Sequence, residues 1–288
     1  MANSASNAAM RPLSAFPAAD RRRVRAVLTD IDDTLSTDGR LTAAAYAALE
    51  ALSGAGLIVV PVTGRPAGWC DHIARFWPVA AVVGENGAFY FRHDRAARRL
   101  IRRFVLEDAA RADARRRLAA LGQRIMAAVP GTALASDQGY RDADLAIDFC
   151  EDVAPLGGDA IDRIVALMAA AGVTAKVSSI HVNGYIGDYD KLTTSRLLFA
   201  ECFALDIDAG RDVVVYAGDS PNDAPMFAHF PNAVGVANVA GWIGRMAALP
   251  AYVTPSPGGA GFVELAAALL AVRQDYPEGF LPPATPRS

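Results

Sequence analysis

Short, continuous apolar runs alternate along the chain with segments whose apolar residues recur at helical spacing. Val24 to Thr29, Leu57 to Val62 and Ala80 to Val83 are β-rich and apolar throughout, with helical patterns at Thr42 to Ser53 and Pro66 to Phe76 between them. The alternation returns late: a helix from about Lys191 to Phe203, a strand at Val213 to Ala217 and a helix near Ala224 to Phe230. Strands at Ala233 to Val236 and Tyr252 to Thr254 and a helix from Gly261 complete it. Strands that are apolar on both faces predict a parallel sheet covered by helices on both sides.

Between these halves the pattern changes. Residues 89–184 open with hairpin-like flanks, Phe89-Tyr90-Phe91 and Leu100-Ile101, around an Arg-rich segment, followed by a charged helix from about Asp108 to Val129. A strand at Asp144 to Phe149, a helix at Asp159 to Ala171, and strands at Val173 to Ser178 and Ile180 to Tyr185 follow. The expected organisation is a doubly wound α/β domain, residues 24–88 and 185–288, with an α+β domain, residues 89–184, inserted into it. Residues 1–23, rich in Ala, Ser and Asn, are expected to form a poorly ordered leader, and the Pro-rich end from Pro277 an irregular surface segment.

At 288 residues and 52% hydrophobic composition, the chain has ample material for a core. A formal charge of -3 gives no general attraction to nucleic acid or to an anionic membrane, so neither is expected as a partner. No apolar stretch reaches the roughly 18 to 20 residues of a membrane span. The N-terminal segment lacks the compact apolar core of a secretory signal, so a cytoplasmic location is expected. Cys70, Cys150 and Cys202 are widely spaced, odd in number and without metal-ligand spacing, in keeping with reduced thiols.

In a doubly wound sheet, ligands bind beyond the carboxyl ends of the strands. Asp30, Asp32 and Asp33 follow the first strand, Thr63, Gly64 and Arg65 the second, and Asp219, Ser220, Asn222 and Asp223 a later one. Any single acid here could be a turn former or a helix cap. Four or five carboxylates expected along one edge instead require a cation, and donors made of oxygen alone suit Mg²⁺.

The four short motifs "DIDDT", "VTGR", "DK" before a helix and "GDSPND" occur in this order. With them, the chain from Val24 to about Val272 resembles the haloacid dehalogenase superfamily of phosphohydrolases, in its Cof-like subgroup with an α+β cap inserted after the third core strand. The resemblance implies Asp30 as the nucleophile that forms an aspartyl-phosphate and Asp32 as the general acid/base. It implies Thr63 as the hydroxyl holding a phosphoryl oxygen, with Gly64 and Arg65 beside it on the substrate, and Lys191 as the cation spanning nucleophile and phosphoryl group. Asp219 and Asp223 match the metal-binding acids, joined by Asp30 and the main-chain carbonyl of Asp32, and Asn222 matches a phosphate-contacting or second-layer residue. A Lys at a helix N-terminus is disfavoured by the macrodipole, which weighs against a merely solvated charge at Lys191. Asp33 stands where Gly is common, as a hydrogen-bonded turn residue or a third acid of the site.

The activity so implied is a Mg²⁺-dependent phosphatase of small phosphorylated metabolites, sugar phosphates first. A sugar phosphomutase and a non-catalytic metabolite-binding module are the alternatives. Specificity is expected from the cap. Arg141 and Asp142 beside a strand, with His181, Asn183 and Tyr185 sharing one face by period-two spacing, either grip a hydroxylated or heteroaromatic leaving group or form an exposed polar sheet face. Arg65 meets either a second anionic group or a helix-start ion pair. Glu85-Asn86-Gly87 reads as a hinge or a crevice lining. Arg98 to Arg103 and Arg115 to Arg117 read as solvated faces, and Cys70 and His72 beside Trp69 as packed on a core helix.

Overall fold

The computed structural model describes residues 10–273. Residues 1–9 of the expected leader and the Pro-rich end lie outside the described residues. In chain order the first elements are β1 (Arg11–Pro12), α1 (Ala18–Arg23), β2 (Ala26–Thr29), α2 (Ala43–Gly54), β3 (Ile58–Pro61), α3 (Ala67–Phe76) and β4 (Val82–Gly84). Next come β5 (Phe89–Asp94), β6 (Arg99–Phe104), α4 (Asp108–Ala128), β7 (Ala133–Leu134), β8 (Asp144–Asp148), α5 (Gly158–Ala170), β9 (Thr174–Val177) and β10 (His181–Tyr185). The chain closes with α6 (Lys191–Cys202), β11 (Val214–Gly218), α7 (Ala224–His229), β12 (Val234–Gly235), β13 (Tyr252–Val253) and α8 (Gly258–Leu270). These elements form two compact units, residues 10–59, 209–219 and 223–273 in the first, residues 60–208 and 220–222 in the second.

The first unit carries the parallel sheet, in the order β1-β13-β12-β11-β2-β3. Its central strands β2 and β11 are buried along their whole length, which is why they read as unbroken apolar runs. Helix α2 starts where Thr42 Oγ1 accepts the Ala45 N–H at 3.2 Å, a side-chain cap that satisfies one orphan donor of the first turn, and it packs against α8. The stretch from Met10 to Arg23 departs from the expected disordered leader. Arg11 pairs with Tyr252 to add β1 to the sheet, Phe16 is buried and stacks on Tyr252 at 4.7 Å, and Arg21 Nη1 donates to Ala268 O at 2.7 Å. Two apolar side chains, Leu13 and Phe16, anchor a segment whose composition is otherwise that of a tail.

In the second unit an antiparallel sheet, β7-β8-β10-β9, is covered on one face by α4 and α5. Leu118, Leu121, Ile125, Leu145, Ile147, Ile161, Ile164, Met168 and Val182 form that core. A three-stranded antiparallel sheet, β4-β5-β6, accompanies it. The third apolar run, read as a plain parallel strand, serves two partners. β4 pairs antiparallel with β5 and meets Val62 through a parallel bridge at Val83, with Thr63 N–H donating to Val83 O at 2.9 Å. Arg98, Arg99, Arg102, Arg103 and Arg115 to Arg117 are exposed, as solvated faces should be. His72 and Trp69 are exposed as well, so only Cys70 of that trio packs inside; Trp69 covers the Arg65 guanidinium at 4.4 Å and His72 stacks on exposed Phe76. No helix among the described residues is long and apolar enough to cross a membrane.

Because Ile147 is fully buried between β8 and its helices, Ile147→Ala should cost about 2–5 kcal/mol, read as a fall in the denaturant midpoint of the second unit.

Candidate active site

Asp30 follows β2 and Asp219 follows β11, and because these strands are parallel neighbours their ends lie together. Asp30, Asp219 and Asp223 are all buried and can each offer a carboxylate oxygen, the three oxygens lying within 4.8 Å of one another. Each acid is fixed from behind. Asp30 N–H donates to Ala217 O at 2.9 Å, and its Oδ1 accepts the Ile31 N–H at 2.9 Å. Asp219 Oδ1 accepts from Thr34 Oγ1 at 2.8 Å and Oδ2 from Asn238 Nδ2 at 3.0 Å. Asp223 Oδ2 accepts the Asp219 N–H at 2.9 Å, and its Oδ1 takes a short hydrogen bond from the Tyr216 hydroxyl. Gly218 makes room for this arrangement: a Cβ there would lie 2.5 Å from Asp223 Oδ2.

Burial first, then the carboxylates of Asp223 and Asp30, drives Asp219 well above the ordinary carboxylate range. Burial and the same acids raise the Tyr216 hydroxyl, which keeps it a donor. Crowded, buried, oxygen-only donors fit a hard divalent cation, whose charge would relieve this repulsion.

Asp32 is half-buried and its carboxylate is not part of the three-acid group. Asp33 adopts φ 54°, the left-handed region Asp tolerates better than most residues. Its N–H donates to Ser36 Oγ at 3.0 Å and its carbonyl accepts from Asn238 Nδ2 at 3.0 Å. Asn238 therefore ties the Asp33 turn to Asp219, and its Oδ1 also accepts the Gly258 N–H at 3.0 Å. Neither Asn238 nor Tyr216 belongs to a recognised motif; a polar residue just past β12 was the available hint for the first.

The other motif residues belong to the second unit. Thr63 is fully buried and its Oγ1 accepts the Arg65 N–H at 3.0 Å. Lys191, first residue of α6, is 2% exposed, not a solvated surface charge; the helix is capped ahead of it by Asp190, whose Oδ1 accepts the Thr193 N–H at 2.7 Å. Asn222 Nδ2 donates to Asn86 Oδ1 at 3.3 Å. Arg65 takes the ion-pair branch, with Nη2 2.6 Å from Glu151 Oε1 and Nη1 3.3 Å from Asp137 Oδ2. Arg141 pairs with Asp137 and with Asp144, at 3.1 and 2.9 Å, and donates to Gly64 O at 2.8 Å.

His181, Asn183 and Tyr185 do share one face of β10, but that face is buried, not exposed. The polar side chains opposite supply partners that sequence spacing could not reveal. Asn183 Nδ2 donates to Asp144 Oδ2 at 3.1 Å, and His181 Nε2 stands 2.9 Å from Glu151 Oε2. Glu85 accepts the backbone N–H groups of Ala67, Asp142, Ala143 and Asp144. Burial and the Asp144 charge raise it to about 8, against the opposing pull of Arg141 and two of those donors.

No protein-family model matches the sequence, and no curated protein does. Solved structures match it over most of their length. The C-terminal domain of C. albicans trehalose-6-phosphate phosphatase superposes at TM-score 0.66 with 13% identity, over 92% of this chain and 99% of that one. A HAD/COF-like hydrolase from Plasmodium vivax gives 0.61 with 16% identity, over 88% and 98%. The sucrose-phosphatase of Synechocystis sp. PCC6803, solved with sucrose and phosphate, gives 0.59 with 15% identity, over 86% and 98%. At these identities the likeness establishes the fold, that of the haloacid dehalogenase-like (HAD) hydrolases.

Saturating Mg²⁺ at about a hundred times its dissociation constant should stabilise the metal-stripped protein by about 2.7 kcal/mol. Gly218→Ala should abolish that rise in Tm by displacing Asp223; an undiminished rise would place the cation elsewhere. For Glu151, burial pushes the carboxyl up but is outweighed by the nearby His181 ring, with Nε2 at 2.9 Å, and by the Arg65 guanidinium, with Nη2 at 2.6 Å, leaving it at about 2 against an ordinary 4.5. A depressed carboxylate contributes stability that is complete above its unfolded value and lost as pH falls through its folded one. Urea unfolding between pH 4.5 and 2 should therefore lose stability more steeply in the native protein than in Glu151→Gln.

Proposed function

We propose that the chain is a Mg²⁺-dependent phosphatase of small phosphorylated metabolites, sugar phosphates first. The observation that carries this reading is the buried, mutually repelling cluster of three carboxylates just past the ends of the adjacent parallel strands β2 and β11. The named activities of the sucrose- and trehalose-6-phosphate phosphatases that share the fold support the sugar-phosphate class.

Asp30, Asp219 and Asp223 would hold the cation, with the Asp32 carbonyl beside them; when bound, it supplies charge neutralisation and orientation of the phosphoryl oxygens. The remaining chemistry belongs to the chain. The Asp30 carboxylate attacks phosphorus in line, the bond to the leaving oxygen breaks, and Asp32 delivers a proton to that oxygen. Asp32, now ionised, takes a proton from water as that water attacks the same phosphorus, and Asp30 departs as carboxylate with release of inorganic phosphate. Thr63 and Lys191 are assigned the phosphoryl oxygens on the strength of their motifs, and phosphoryl transfer needs little more than placement and charge. Residues 89–184 are assigned the role of cap. Two internal carboxylates take up the Arg65 guanidinium, so Arg65 is left out of the substrate contacts.

Turnover of an aryl phosphate with Mg²⁺ tests the reading. Chelation should abolish activity, and Asp30→Asn should lower kcat by at least about 10³-fold. Asp32→Asn should lose about 10² to 10⁴-fold, more on an alkyl phosphate, whose leaving oxygen needs the proton, than on an aryl one. Asp33→Gly, which accepts the same positive φ, should keep activity within about tenfold. An Asp30→Asn protein with native turnover would overturn the assignment.

A further inference from the structure

Asn238 follows β12 on a backbone held from both sides. The Val236 N–H donates to Gly218 O at 3.1 Å, the Ala237 N–H donates to Ser256 O at 3.2 Å, and Val239 is fully buried. The first of these bonds ends on the residue before Asp219, so the Asn238 side chain starts beside the end of β11. Three bonds leave its carboxamide. Nδ2 donates to Asp219 Oδ2 and to Asp33 O, each at 3.0 Å, and Oδ1 accepts the Gly258 N–H at 3.0 Å. Two acceptors and one donor fix which way the amide faces. Among polar side chains of this size, only a carboxamide offers two N–H donors together with an acceptor.

These bonds reach both halves of the chemistry proposed above. Asp219 is one of the acids assigned to the cation. Asp33 is joined by its peptide to Asp32, whose carbonyl is assigned to the cation and whose carboxyl is assigned to the leaving oxygen. The Asp33 N–H donates to Ser36 Oγ at 3.0 Å and its carbonyl takes the Asn238 bond, so the turn at φ 54° is held at both ends. Behind it, the first residues of α8 lie against the same loop. The Gly259 N–H donates to Ser36 O at 3.0 Å, and a Cβ on Gly258 would lie 2.7 Å from that oxygen. Asn238 thus bridges the start of α8, the Asp33 turn and Asp219, and without Nδ2 the last two lose their common donor.

We infer that Asn238 is a positioning residue that sets the cation-binding acid and the proton-transfer turn in one geometry, so that its loss weakens both metal binding and protonation of the leaving group. The inference rests on the readings of Asp219 as a cation ligand and Asp32 as the acid/base.

Two readouts test it: the Mg²⁺ dissociation constant of the metal-stripped protein by calorimetry without substrate, and the ratio of kcat/KM for an alkyl phosphate to that for an aryl phosphate at saturating Mg²⁺. Asn238→Ala should raise the dissociation constant about 10- to 100-fold. It should also lower the alkyl-to-aryl ratio at least about fivefold, because the alkyl leaving oxygen depends more on the proton. Asn238→Asp keeps the shape and the acceptor for Gly258 but puts an oxygen where the donor stood, and it should lower the ratio as much. Ser256→Ala removes the hydroxyl that donates to Glu264 Oε1 at 2.6 Å, a bond in the loop before α8 that involves neither acid; it reports destabilisation alone and should move neither readout. A native ratio in the folded Asn238 variants, or a native dissociation constant in Asn238→Ala, overturns the inference. If Asn238→Ala does not fold, the ratio in Asn238→Asp decides. Native protein that binds no Mg²⁺, or an Asp32→Asn protein with an unchanged ratio, would instead overturn the readings beneath the inference, and the inference with them.

Discussion

Mutual repulsion of three buried carboxylates is the constraint around which the first unit is built. Asp30, Asp219 and Asp223 cannot separate, because two of them sit at the ends of adjacent strands and the third is held by Tyr216 and by the Asp219 backbone. Thr34, Asn238 and the Gly218 gap serve the same end. Burial and the charges of Asp223 and Asp30 push the Asp219 carboxyl upward, which is the signature of that repulsion. A bound cation would supply the compensating charge.

The second unit treats buried charge in the opposite way. The two buried guanidinium groups meet carboxylates directly: Arg65 between Asp137 and Glu151, Arg141 between Asp137 and Asp144. Glu85 is wrapped in backbone donors instead. Paired in this way, buried ions contribute specificity of geometry more than net stability, and here they fix the backbone around Gly64 and the side chain of Asn183.

Much of this was legible along the chain, for physical reasons particular to each element. Continuous apolar runs mark β2 and β11 because both faces are covered, and the acids that follow them stand out as polar breaks. Helix α2 begins one residue from its reading because Thr42 caps it. Period two correctly grouped His181, Asn183 and Tyr185, but it cannot tell a solvated face from a covered one, since covering depends on residues such as Glu151 and Asp144 that are distant in sequence. The same limit hid Asn238, Tyr216 and the pairing of Arg65. Composition misjudged Met10 to Arg23, where two apolar anchors outweigh the surrounding small and charged residues. Asp33 was legible in kind: the position wants a left-handed residue, and Asp supplies one.

The central claim is that Asp30 carries the phosphoryl group in mid-reaction. Rapid acid quenching of the protein incubated with Mg²⁺ and an aryl phosphate, followed by mass analysis of the peptide containing Asp30, tests it most directly. The account predicts a phosphoryl adduct on Asp30 that accumulates when Asp32→Asn slows its hydrolysis. Turnover to inorganic phosphate with no adduct on that peptide in either protein would contradict it.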